Sequence, residues 1–212
     1  MEERDIVIIG GGPAGYVAAI RASQLGGKVT LIESDALGGT CLNRGCIPSK
    51  SLLHAVGLYQ SMKNAEQYGI NATGVSIDLA KMIARKNSVK SMLVSGVQSL
   101  LAGNKVEVIK GRAKLTTSSQ VEINTDQGQK QTFSAKKVIL ATGSKPMTLP
   151  IPGADSPSGI INAESILDID YIPKSLLMIG GGVIGVEMAT ILAKLGSQVS
   201  IVEMLPHILP VE

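Results

Sequence analysis

Residues 6–33 read IVIIGGGPAGYVAAIRASQLGGKVTLIE, and residues 176–203 read LLMIGGGVIGVEMATILAKLGSQVSIVE. The two stretches align without a gap. Identity falls at Ile9, Gly10, Gly11, Gly12, Gly15, Ala19, Leu25, Gly26, Val29 and Glu33 and at their counterparts 170 residues further on. Each copy runs from a continuous apolar strand through a glycine turn and an amphipathic helix to a second strand that ends in an acid. That order predicts a βαβ unit, present twice, and an α/β fold class.

A GxGxxG motif is a weak signal in a chain with 24 glycines, but here the flanking pattern supplies what the motif needs. Gly10 and Gly180 suit the tight turn that leaves the strand. Gly12 and Gly182 let the backbone approach a pyrophosphate at the positive end of the next helix. Gly15 and Gly185 allow that helix to pack closely on the sheet. Glu33 and Glu203 close the second strands, where a carboxylate accepts hydrogen bonds from a ribose diol. Two dinucleotide sites are expected; the alternative is a pair of glycine-rich turns with no ligand.

Working outward, the region from Gly38 to about Ala65 begins as a loop and is expected to turn helical after Pro48. Apolar residues at Leu79, Met82, Ile83, Val89, Met92, Leu93, Val97, Leu100 and Leu101 follow a helical spacing. Residues 106–109, 121–123 and 137–140 read as strands, with a turn at 125–128. Pro146, Pro150, Pro152, Gly153, Pro157 and Gly159 make a rigid, non-helical connection. The expected organisation is a first dinucleotide domain over 1–149, a Pro/Gly-rich connection over 150–159 and the first part of a second domain over 160–212.

Composition narrows the function classes. The chain has 212 residues, 44% of them hydrophobic and 17% charged, with mean hydropathy +0.26, which excludes an intrinsically disordered tail. With one Phe, four Tyr and no Trp, the core must be aliphatic. A net charge of +3 does not argue for nucleic acid. The basic stretch from Lys81 to Lys114 reads as the solvated face of a helix and strand, or as a phosphate-tracking surface, but it holds no aromatic residue on which bases could stack. The acidic start, Met1-Glu-Glu-Arg-Asp5, is unlike a secretory signal. Gly180–Gly182 and Glu187 interrupt the apolar run 175–196, so it is too short for a bilayer span. The expectation is a cytoplasmic protein with no membrane or nucleic-acid partner.

The only cysteines, Cys41 and Cys46, lie in GGTCLNRGCIPSK, residues 38–50. On a regular helix they would be separated by about 7.5 Å of rise and point roughly 140° apart. A disulfide needs Cα atoms within about 7 Å, so closure requires a bend, which Gly45 permits. A transient, catalytic disulfide suits a cytosolic chain better than a structural one. Two inert thiols are the alternative. Zinc would find at most three ligands even with His54, so no metal is expected. His54, about 12 Å along a helix from Cys46, reads as a packing or surface residue, and His207 as tail.

A first GxGxxG, then GGTCLNRGCIPSK, then ATG at 141–143, then GGGVIGVE at 180–187 is the motif order of the pyridine nucleotide-disulfide oxidoreductases, which this chain resembles over essentially its whole length. The cysteine motif is most similar to that of the members that oxidise dihydrolipoamide. Members acting on glutathione disulfide or mercuric ion usually carry Val in place of Leu42 and Ile47. The resemblance implies a Rossmann-like FAD-binding domain, a parallel sheet plus a β-meander, followed by the start of a Rossmann-like NAD-binding domain. It implies FAD contacts at Gly10, Gly12, Pro13, Ala14, Gly15, Glu33, Ser34, Gly39, Thr40, Cys41, Lys50, Ala113, Thr142, Gly143 and Ser144. NAD contacts would fall at Gly180, Gly182, Val183, Ile184, Gly185, Glu187 and Glu203.

By the same resemblance the catalytic residues are Cys41 as the interchange thiol, Cys46 as the flavin-contacting thiol, and Lys50 paired with Glu187 beside the flavin. The reaction implied is dithiol attack on a Cys41–Cys46 disulfide and electron transfer through FAD to NAD. The substrate would be dihydrolipoamide, carried by a domain of a 2-oxo acid dehydrogenase-type complex, and the parent protein a homodimer. Family chains are much longer, and the His-Glu pair that acts as general base lies in a part with no counterpart before Glu212. The expectation is therefore an N-terminal portion, inactive alone. A sister disulfide reductase and a non-catalytic flavin-binding module are the other two readings.

Overall fold

The computed structural model describes residues 2–154, 156 and 159–210. Pro157 of the expected connection, together with Met1, Asp155, Ser158, Val211 and Glu212, lies outside the described residues. The chain divides into two compact units that do not follow it linearly: residues 1–43 with 90–145, and residues 44–89 with 146–212.

The first unit is built on β1 (Glu2–Ile9), α1 (Pro13–Gln24) and β2 (Val29–Glu33). Strands β1 and β2 pair in parallel, Ile6 opposite Val29 through Ile9 opposite Ile32. Val29, Thr30, Leu31 and Ile32 are all buried, so β2 is covered on both faces, as a parallel strand beneath a crossover helix must be. After β2 comes α2 (Gly39–Arg44), where the sequence suggests a loop. Three further strands follow: β3 (Glu107–Leu115), β4 (Gln120–Thr125) and β5 (Lys130–Leu140).

Strand β3 joins β2 in parallel, then β3, β4 and β5 form an antiparallel meander. The long β5 closes the ring. Its first residues pair with β4, and Phe133–Leu140 pairs in parallel with β1. The strands are longer than the apolar runs 106–109 and 137–140 suggest, because their polar outer positions also carry ladder hydrogen bonds. Inside sit Val7, Ile9, Ile32, Val121, Ile123, Phe133 and Ala135.

A buried polar pin ties three strands of this ring. Arg4, only 4% exposed, donates from Nε to Thr30 Oγ1 at 2.8 Å and from Nη2 to Glu107 Oε2 at 2.8 Å. Its guanidinium also lies 4.8 Å from the Phe133 ring centroid. Burial pushes the Glu107 carboxyl up, but the bonds from Thr30 and Arg4 outweigh it and hold the group below its ordinary range. Composition carried no sign of this cluster.

The second unit contains α3 (Cys46–Lys63), the 3-10 turns Ala65–Tyr68 and Ser165–Asp168, β6 (Ser175–Ile179), α5 (Val183–Leu195) and β7 (Gln198–Val202). The helix α4 (Leu79–Gly103) precedes β3 in the chain, and its residues up to Val89 belong to this unit. Helix α3 begins at Cys46, before Pro48 rather than after it. Proline in the first turn gives up no helical hydrogen bond, since those N–H groups have no acceptor there. Strands β6 and β7 are parallel, Leu176 opposite Val199 through Ile179 opposite Val202.

Two strands and one helix are too little to close a core. Here Leu52 and Val56 of α3 supply the rest, packing with Ile166, Leu167, Met188, Ile191 and Leu192. Lys86 of α4 is 2% exposed. Its Nζ donates to the Leu167 carbonyl at 2.8 Å and pairs with Asp168 Oδ1. The described residues of the connection form turns, not helix.

Candidate functional site

The two glycine turns are built alike. Gly10 leaves β1 with φ +108 and Gly180 leaves β6 with φ +101, a conformation that disfavours side chains. Their N–H groups donate to Ile32 O at 2.8 Å and Val202 O at 2.9 Å. At the third glycine a Cβ would sit 1.8 Å from Gly10 O in the first copy and 2.1 Å from Gly180 O in the second. Gly15 and Gly185 are therefore glycine because helix and turn touch, as the spacing implies.

Behind each turn the helix starts without help. Gly12 and Gly182 are extended N-caps, neither helix has a side-chain cap, and no acid lies in either first turn. The leading N–H groups are left to an anion from outside, the donor set a pyrophosphate needs. The acids do more than the sequence implied. Glu33 Oε2 accepts from Gly11 N–H at 2.7 Å and Oε1 from Asp35 N–H at 2.7 Å. Glu203 repeats this with Gly181 N–H at 2.7 Å and Leu205 N–H at 2.9 Å. The backbone donors at Leu205 and Gly181 hold the Glu203 carboxyl below its ordinary range. Each carboxylate latches its own glycine turn, and its two oxygens have further lone pairs able to accept other hydrogen bonds.

Around the first turn the walls are complete. Gly38 N–H donates to Gly11 O at 2.8 Å. Gly39 has φ +57, and a Cβ there would lie 2.7 Å from Gly12 Cα. Ala141 N–H continues the ladder to Ile9 O at 2.8 Å, which puts its carbonyl 2.1 Å from where a Gly10 Cβ would be. Pro13, Ala14, Ser34, Thr40, Thr142, Gly143 and Ser144 are exposed around this turn and the segments that wall it. The Ala113 side chain is partly buried and packs against the core inside the ring of strands. Around the second turn Val183 and Ile184 are exposed.

The chain breaks between the cysteines. Helix α2 carries Cys41 and ends at Arg44, Gly45 has φ −146 and ψ −114, and α3 starts with Cys46. The continuous helix that would splay the thiols is absent. Neither cysteine is in a disulfide; Cys41 is half-buried and Cys46 exposed. One turn along α3, Lys50 Nζ donates to Glu187 Oε1 of α5 at 2.9 Å. Lys50 is 62% exposed and Glu187 24%, so the pair contributes about 0–1 kcal/mol of stability. Its consequence is that an ammonium and a carboxylate are held together at α5, two residues after Gly185. His54 is exposed on α3, and His207 Nδ1 lies 3.1 Å from the neighbouring Ile208 carbonyl. Among the described residues no cluster of His, Cys, Asp and Glu could hold a metal ion.

Comparison with known proteins then decides the family. Residues 4–212 match the family described as pyridine nucleotide-disulphide oxidoreductase. The chain belongs to that family. It is 48% identical over 208 residues to a dihydrolipoyl dehydrogenase of Zymomonas mobilis, covering 98% of this chain and 44% of that one. It is 44% identical over 211 residues to a mitochondrial dihydrolipoyl dehydrogenase of Pisum sativum, covering 99% of this chain and 42% of the relative. An HOCl-induced flavoprotein disulfide reductase of Escherichia coli, solved as a Cu(II) complex, superimposes with TM-score 0.85 at 31% identity. That match covers 100% of this chain and 45% of the other. The chain thus spans under half the length of the relatives it matches. The α/β architecture read from the repeat is the one observed, and it is shared with flavoprotein disulfide reductases.

Proposed function

We propose that this chain supplies the FAD-binding and redox-cysteine part of a dihydrolipoamide-oxidising flavoenzyme that uses NAD. The observation that carries the reading is the cysteine segment, whose Gly38 and Gly39 are held against the first glycine turn and whose helix breaks at Gly45, between Cys41 and Cys46. Identity of 44–48% to dihydrolipoyl dehydrogenases supports it. Family membership supports FAD on the first turn, held by the α1 N-terminus, Glu33 and Gly39; NAD belongs to the second turn, with Glu203 at its ribose. FAD, when bound, would take two electrons from the cysteine pair and hand them to NAD as hydride.

The protein's own step is thiol–disulfide exchange. A substrate thiolate attacks Sγ of Cys41 in a Cys41–Cys46 disulfide, forming a mixed disulfide and releasing Cys46 as thiolate. The second substrate thiol displaces Cys41, leaving a cyclic substrate disulfide and the reduced pair. Cys46, first residue of an 18-residue helix, then has its negative charge beside the helix's leading N–H groups. Lys50, oriented by Glu187, adds a positive charge one turn further along. A linear functional division into 1–149, a connection and 160–212 belongs to this reading. So do a homodimeric parent, a 2-oxo acid dehydrogenase-type complex as partner and a cytoplasmic location. Among the described residues no helix is long and apolar enough to cross a membrane. The 212 residues alone should not turn over dihydrolipoamide, since the active relatives are more than twice as long.

The test is spectroscopic and kinetic, in the whole protein. With FAD bound, Cys41→Ser should retain a thiolate–flavin charge-transfer band and Cys46→Ser should lose it. A band in neither variant, or only in the second, would overturn the two roles. The Escherichia coli neighbour supports a second reading, a disulfide reductase with another substrate. Turnover of glutathione disulfide or mercuric ion in preference to dihydrolipoamide would establish that one instead.

A further inference from the structure

We infer that Asn43 is a positioning residue for the interchange thiol, holding the segment that carries Cys41 against the first glycine turn; the inference rests on the redox role proposed for Cys41. The Asn43 side-chain amide donates twice from one nitrogen, to Leu37 O at 3.0 Å and to Gly39 O at 3.0 Å. Both partners are carbonyls and can only accept, so the orientation of the amide is fixed by its chemistry. These two acceptors bracket the sharpest backbone in the segment, Gly38 at φ +91 and Gly39 at φ +57. Two consecutive positive-φ residues suit glycine and turn the chain sharply ahead of Cys41.

The pinned loop is in turn fastened to the nucleotide turn. Gly38 N–H donates to Gly11 O at 2.8 Å, and Gly39 touches Gly12. Leu42 is buried and lies where a Gly38 Cβ would be. Cys41 stands between these anchors, with Leu42 and Asn43 after it and Gly38 and Gly39 before it. Leu42 N–H adds a bond to Gly38 O at 3.3 Å, and the Asn43 side chain ties the end of the segment back to both Leu37 and Gly39. Its removal frees the segment without touching either sulfur.

The experiment compares the alkylation rates of Cys41 and Cys46 by iodoacetamide in the whole, FAD-loaded, reduced protein, read by peptide mass. Asn43→Ala should raise the Cys41 rate by about thirtyfold, the equivalent of the two lost hydrogen bonds, with the Cys46 rate unchanged. The kcat for dihydrolipoamide should fall while the KM for NAD stays put. Asn43→Ser, whose hydroxyl still reaches the carbonyl four residues back but not Leu37, should lie between. If Asn43→Ala does not fold, Asn43→Ser carries the test alone. Equal rates in wild type and either folded variant would overturn the inference, as would parallel acceleration at both cysteines. If wild type fails to oxidise dihydrolipoamide, the functional reading falls. The alkylation difference still reports whether Asn43 holds Cys41.

Discussion

The two βαβ copies are alike within and unlike in what surrounds them. Register, turn angles, the carboxylate latch and the helix–turn contact all repeat at an offset of 170. Strand β1, however, is hydrogen-bonded on both sides, by β2 and β5, and Ala141 closes over Gly10. Among the described strands β6 pairs only with β7, and a Cβ on Gly180 would meet nothing within 4 Å. Leu177, Ile179 and Val202 remain more than half exposed. The glycine turn itself is therefore encoded by its own 28 residues, whereas its enclosure is delivered by strands distant in sequence.

Glycine substitutions break that comparison most severely. Where the copies agree, Gly15→Ala and Gly185→Ala should both fail, because the new Cβ runs into backbone that cannot yield. Where they differ, Gly180→Ala should cost about 1–3 kcal/mol for its strained φ alone. Gly10→Ala should cost more and lose bound FAD, because strain is joined by collision with the Ala141 carbonyl. Thermal unfolding and flavin content check both; equal losses at 10 and 180 would mean that β5 and the following Ala141 do not enclose the first turn. Next in size is Leu192→Ala, which removes a buried side chain shared by α5 and the α3 face. It should destabilise by about 2–5 kcal/mol in denaturant unfolding. An effect under about 1 kcal/mol would show that α3 does not complete the core of the second copy.

Most of this arrangement was legible in the sequence, because it depends on short-range pattern. The repeated GxGxxG fixed both turns, and the apolar runs fixed β1, β2, β6 and β7. The segment around the cysteines was harder. Six residues of helix at Gly39–Arg44 have no apolar period to read, and Pro48 resembles a helix boundary although a first turn accepts it. Long-range partnerships left no local trace. Nothing near Arg4 announces Thr30 and Glu107, and nothing near Lys86 announces Asp168, which lies 82 residues away. Asn43 lies inside GGTCLNRGCIPSK, between the two cysteines. An amide four residues after a pair of glycines was its signal, as a residue able to bridge carbonyls of such a turn.

A smaller effect sharpens the functional difference between the copies. Glu203 directly follows β7, with Met204-Leu205-Pro206 after it, so no arginine is adjacent to neutralise a 2′-phosphate. In the whole enzyme NAD should be preferred over NADP. Glu203→Ala should narrow the ratio of kcat/KM values by about tenfold or more, the worth of one hydrogen bond to a charged group. The same change at Glu33 should leave that ratio alone and weaken FAD retention instead. A ratio that moves with Glu33, or stays fixed with Glu203, would reverse the assignment of the two turns.

The smallest effect is the titration of the Glu203 latch. Bonds from the Leu205 and Gly181 N–H groups lower its pKa below the ordinary 4.5. A group whose folded pKa is depressed contributes stability above its unfolded pKa, and that contribution is lost as pH falls through the folded value. The Gly181 amide resonance should therefore hold steady at neutral pH and shift on acidification, with a midpoint below 4.5. Glu203→Gln should abolish the shift, because a side-chain amide does not titrate. It should also loosen one of the two bonds, because its nitrogen cannot accept from an N–H. Faster hydrogen exchange at either Gly181 or Leu205, but not both, would identify which bond the amide gives up. A midpoint at or above 4.5 in wild type would mean that the carboxylate is turned away from the glycine turn in solution, and that the two copies are not latched alike.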